Sequence, residues 1–101
     1  MSAQAAFRTQ PLADTEPPIF VVAPRVVYAA GDRVVIEWQT DEPAEAVVEY
    51  GPTAERQLRV SPPGRRMQHQ ATLSNLLPNT QYFVRVVVTD AAGNVAAADL
   101  Q

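Results

Sequence analysis

The residues that could do chemistry are few. His69 is the single histidine in 101 residues. A lone imidazole cannot build a histidine-based metal site, and a catalytic triad would need a nucleophile and an orienting acid beside it. His69 falls on the inward side of an alternating segment, which reads as a core or rim histidine. The serines are Ser2, Ser61 and Ser74, none in a Gly-x-Ser-x-Gly context. Cysteine is absent, which removes a disulfide framework and a thiolate metal site. Asp41, Glu42 and Glu45 cluster around one turn, and Asp90 and Asn94 occupy another. A calcium site would require their oxygens to converge on one point. The two turns are expected at opposite or offset positions, so these residues read as solvated turn groups. Gly31-Asp32-Arg33 has the wrong order for an Arg-Gly-Asp integrin motif. The expectation is therefore no catalytic residue, no metal and no cofactor: not an enzyme.

Charge narrows the partners. The net charge is −3 and the pI about 4.9, with every basic residue an arginine. Nucleic acid and anionic membranes both select a basic surface, so neither is expected as a partner. No run of about 18 apolar residues is present to span a bilayer. The segment Met1–Gln10 lacks the basic start and apolar stretch of a signal peptide. The sequence reads either as a complete protein or as a domain of a longer chain.

The elements that must position these residues are strands. Met1 to Pro18 shows no alternation and is interrupted by Pro11, Pro17 and Pro18, so it reads as an extended arm or linker. A loose tail is the plainer reading; the other is an arm docking on a neighbour through Phe7 and Leu12. From Ile19 to Gln101 short apolar runs alternate with period two. The expected strands are Ile19 to Val27 (bent at Pro24, as suits an edge), Arg33 to Thr40, Glu45 to Tyr50, Gln57 to Val60, Met67 to Leu73, Gln81 to Thr89 as the longest, and Val95 to Leu100. The inward sets are Val34, Ile36 and Trp38; Ala46, Val48 and Tyr50; His69, Ala71 and Leu73; and Tyr82, Val84, Val86 and Val88. Strands at roughly 8–12-residue spacing predict an all-β fold, a seven-stranded antiparallel Greek-key sandwich.

Several segments resemble a known family. Val34 to Ala44, with Trp38 followed by Thr40-Asp41-Glu42-Pro43, is similar to the second strand of bacterial fibronectin type III domains. Val48-Glu49-Tyr50-Gly51 resembles their third strand. Leu73-Ser74-Asn75-Leu76-Leu77-Pro78-Asn79-Thr80-Gln81-Tyr82 is similar to their Leu-x-x-Leu-x-Pro-x-Thr-x-Tyr corner, and Thr89 to Asn94 to their last hairpin. The resemblance covers about Pro17 to Leu100 and implies an immunoglobulin-like sandwich. It places Trp38 in the core and gives Tyr82 a hydroxyl bonded back to the chain near the corner. It also puts Asn79 where the family often has glycine. Three of these segments also resemble the N-terminal domain of purple-acid-phosphatase-like proteins, whose metal ligands lie in a following domain.

One surface feature is left over. Val47 falls outward on the third expected strand, and Phe83, Arg85 and Val87 outward on the sixth. The last strand is expected to add Ala96 and Ala98. An apolar outward strip with an aromatic and an arginine has the composition of a protein-contact surface. The expectation is a non-catalytic binding or structural module whose partners are proteins, copies of itself included. Its setting would be a virion surface, as a decoration protein, or the extracellular space, as a module of a secreted bacterial protein. The alternative is an accessory domain of a metallophosphatase-like or carbohydrate-active enzyme.

Overall fold

The organising element is one long strand. In the computed structural model, which describes residues 16–100, β2 runs unbroken from Arg33 to Gly51 and takes part in two sets of hydrogen bonds. Its first half pairs antiparallel with β1 (Phe20–Ala30) on one side and β4 (Arg66–Leu73) on the other. Its second half pairs with β3 (Leu58–Val60) and with β5 (Phe83–Thr89), which in turn pairs with β6 (Val95–Asp99). The result is an all-β, sandwich-like fold: a curled antiparallel sheet whose two wings face one another through β2.

Six strands are present among the described residues, one fewer than expected. The expected second and third strands are a single element, and β2, not β5, is the longest. Asp41-Glu42-Pro43 bends the strand without ending it. Thr40, fully buried, donates its hydroxyl to the Glu42 carbonyl at 2.7 Å and so holds the bend. Asp41 clamps the start of β1 from both sides: its backbone N–H donates to the Ile19 carbonyl, and its Oδ1 accepts from the Ile19 N–H, each at 2.9 Å.

The core follows the alternation. Ile36, Trp38, Val48, Leu73, Val86 and Val88 are almost wholly buried, with Ala46, Tyr50, Ala71 and Val84 around them. Facing valines, branched at Cβ and suited to strands, fill the space between the wings. Burial of this set supplies the main drive to fold, at roughly 25 cal/mol per Å² of apolar area. The Trp38 indole stacks on the His69 ring across the β2–β4 pair, with centroids 5.4 Å apart and planes 19° from parallel.

Turns close as their residues allow. Gly93 at φ +91° and Asn79 at φ +53° both occupy the left-handed region, where glycine pays no Cβ penalty and asparagine little. The Tyr82 hydroxyl accepts from the Leu77 N–H at 2.8 Å, tying the segment before β5 to itself. Its ring packs against the core edge.

Candidate interaction surface

The buried polar side chains His69 and Asp90 both hold structural bonds. His69 is buried, and its Nε2–H donates to the Ala44 carbonyl at 2.9 Å, so that nitrogen is a fixed donor. Ser61 and Ser74 are exposed in loops, and Ser2 lies outside the described residues. The Asp90 carboxylate is buried and ties the β5–β6 turn: Oδ1 accepts from the Ala92 and Asn94 N–H groups, and Oδ2 from the Asn94 side-chain amide. Glu45 pairs with Arg65 at 3.2 Å. The two acidic turns are not offset as expected. The pairing of Glu45 with Thr89 brings both to one end of the molecule. Among the described residues, no group of three or more histidine, cysteine, aspartate or glutamate side chains is arranged to hold a metal ion.

The expected contact strip maps onto the outer face of the wing formed by β3, the second half of β2, β5 and β6. Residues directly paired across antiparallel strands share a face, so the register defines rows. Val47, Val87 and Ala97 form one row, all half-buried or exposed. Glu45, Thr89 and Val95 form the next row toward the acidic turns. On the other side, Arg59, Glu49, Arg85 and Asp99 form a row of alternating sign, one residue from each strand. Arg85 Nε bonds Asp99 Oδ1 at 3.1 Å, and Arg59 lies 3.8 Å from Glu49.

The structure therefore brings Val47 and Val87 together and separates them from Phe83. The Phe83 ring, 42% exposed, lies beyond the charged row, opposite Gly51. A Cβ on Gly51 would lie 3.3 Å from the Arg56 Cα and the Gln57 N, so the chain at 56–57 covers that corner. Ala96 and Ala98 point inward, opposite Val88 and Val86; the outward residues of β6 are Val95, Ala97 and Asp99. The turn length sets the phase of β6, and a run of alanines carries no hydrophobic contrast to reveal it. Phe7 and Leu12 lie outside the described residues.

Sequence reasoning missed a second feature, a cleft of about 420 Å³ at the opposite end of the molecule. Val26, Val34, Leu73, Leu76, Tyr82 and Leu100 line it, where β1, the corner before β5 and the end of β6 meet. Val26 faces inward opposite Ile36 yet stays 43% exposed because β1 is an edge strand. Its only sequence signal is Leu76-Leu77 beside the corner, because its walls come from segments far apart in the chain.

The comparisons with known proteins are silent. No family model matches the chain, and neither a curated protein nor a solved structure matches it.

Proposed function

We propose that this chain is a fibronectin type III-like module that acts without catalysis, by protein contact through the outer face of the β3–β2–β5–β6 wing. The family reading is supported by the Tyr82 hydroxyl accepting from Leu77 N–H and by Trp38 at the centre of the core. The observation that carries the function is the apolar row Val47–Val87–Ala97 beside a row of paired charges. A flat face of this kind offers dry contact in the middle and polar groups that fix orientation at the side. On a particle coat, in a secreted multidomain protein or next to a catalytic domain, the same face would make the contact.

A photo-crosslinking amino acid at position 87, compared with one at Thr72 on the outer face of the other wing, tests this. Adducts with defined protein partners are expected from position 87 and not from position 72. Equal yields from both, or none from position 87, would sink the reading.

A further inference from the structure

The alternating row carries more than side-by-side neutralisation. Across the face, from β3 through β2 and β5 to β6, the signs run plus at Arg59, minus at Glu49, plus at Arg85, minus at Asp99. Reversed, this order becomes minus, plus, minus, plus, the complement of the original. A twofold axis parallel to the strands, between β2 and β5, performs this reversal when two copies meet face to face. Glu49 of each copy then meets Arg85 of the other, and Arg59 meets Asp99. The same operation lays Val47 over Val87 and Val87 over Val47. Isologous contacts require this self-complementarity, in which residue i meets j and j meets i.

We propose that the outer face of the β3–β2–β5–β6 wing binds a second copy of this chain about such an axis. This deepens the contact-face reading and rests on it. Three observations select the arrangement. A twofold axis perpendicular to the strands through the Val47–Val87 row would instead put Glu49 over Glu45 of the partner, like charge on like. The charged row sums to zero in a chain of net charge −3, so the row itself adds no net repulsion when two copies meet. Exposure falls toward the axis: Glu49 and Arg85 side chains are 26% and 38% exposed, against 69% for both Arg59 and Asp99. The central pair is therefore the more desolvated and the stronger source of specificity. The exposed Phe83 ring of each copy comes over Gly51 of the other, where the chain at 56–57 gives it a surface. Face-to-face sheets pack about 10 Å apart with strands within about 30° of alignment, which this axis provides.

The area sets the strength. Four strands about 4.8 Å apart and roughly 20 Å of strand length give a face of about 400 Å². That is near half the roughly 800 Å² per partner of a standard interface, so the dimer is weak and concentration-dependent.

Sedimentation equilibrium of the full chain up to about 1 mM is the test. The native chain should show a reversible monomer–dimer equilibrium. Glu49→Arg and Arg85→Glu should each weaken self-association at least about tenfold, since each sets like charges face to face. Mixed one to one, these two variants should associate with each other, because every pair in the rows is then opposite in sign. The double variant should recover self-association for the same reason. A variant that merely loosens the fold would recover in neither case. Circular dichroism checks that each folds; if a reversal unfolds the chain, Glu49→Gln and Arg85→Gln should each give a smaller loss, with partial recovery in their mixture, where one Glu49–Arg85 pair survives. A native chain that stays monomeric, single variants that associate as well as native, or a mixture that fails to associate would each overturn the proposal. Monomers that still crosslink from position 87 to a different protein would end the self-association proposal and leave the contact-face reading standing.

Discussion

The two halves of β2 share one backbone and one alternation, yet their neighbours lay out their outward sides differently. Outward from the first half come Val35, Glu37 and Gln39, flanked on β4 by Thr72, Gln70 and Gln68 and on β1 by Tyr28, Arg25 and Val22. Polar groups fill the middle of this face, the half-exposed Tyr28 lies at one end, and β1 is irregular, with three register shifts and the buried Pro24. Bulges and a proline blunt an edge against further strand pairing. Outward from the second half come Glu45, Val47 and Glu49, whose partners on β5 keep register without a shift from Glu45 to Gly51. Regular pairing there yields aligned rows and hence a surface with a definable sign pattern. Identical alternation thus fixes what each half buries, while the neighbouring strands decide whether the outward side is irregular or laid out in aligned rows.

The comparison breaks most readily at Trp38, the largest fully buried side chain and the core contribution of the first half. Trp38→Ala should cost about 3–5 kcal/mol, from lost transfer energy plus the cavity left beside His69. Because β2 serves both wings, urea unfolding followed by tyrosine fluorescence and by far-ultraviolet circular dichroism should stay coincident at a lower midpoint. Separate transitions would mean the halves are independent units that merely share a chain.

The second half is tested at Gly51, where a methyl group would meet the Arg56 Cα and Gln57 N at 3.3 Å. Gly51→Ala should be overpacked by about 1–3 kcal/mol, offset by roughly 0.4–1 kcal/mol from the stiffer unfolded chain. A net loss in the denaturation midpoint is expected, smaller than that of Trp38→Ala. A gain would show that the chain at 56–57 yields freely.

These tests also mark how far the sequence was readable. Every inward residue of β2, β4 and β5 named from period two is buried or packed on the core, because one face of each strand must meet the opposite wing. The Tyr82 bond and the left-handed Asn79 followed from the corner motif. Three features did not. Asp41-Glu42-Pro43 carries turn residues, yet the clamp to Ile19 and the Ala44–Arg66 pair keep the backbone extended through it. The alanines of β6 have no contrast by which to assign a face, so the sequence alone puts Ala96 and Ala98 outward where the register turns them in. The charged row was invisible for a related reason: its four members come from four strands, and only the register aligns them.

The corner distinguishes fold from surface. Tyr82→Phe removes the acceptor of the Leu77 N–H while keeping the ring against the core. A loss of about 1 kcal/mol in unfolding free energy is expected, typical of one hydrogen bond. Self-association should be unchanged, because Tyr82 lies outside the rows. A change in dimer affinity at constant stability would place the corner within the contact surface.

The smallest effect belongs to the outer face of the first half. Glu37 has its carboxyl held below the usual range, chiefly by the hydrogen bond from Arg25 at 2.8 Å, against the opposing effect of its partial burial and with help from Gln70. A folded value below the unfolded one means that the unfolded chain binds the proton more readily. The resulting stabilisation is complete above the ordinary glutamate range and fades as pH falls through the lowered value. Exposed pairs of this kind contribute little, so the expected signature is a slight acid-side slope in the melting temperature that Glu37→Gln removes. A slope that survives in Glu37→Gln would assign the acid sensitivity to other carboxylates and leave the Arg25–Glu37 pair without a measurable share.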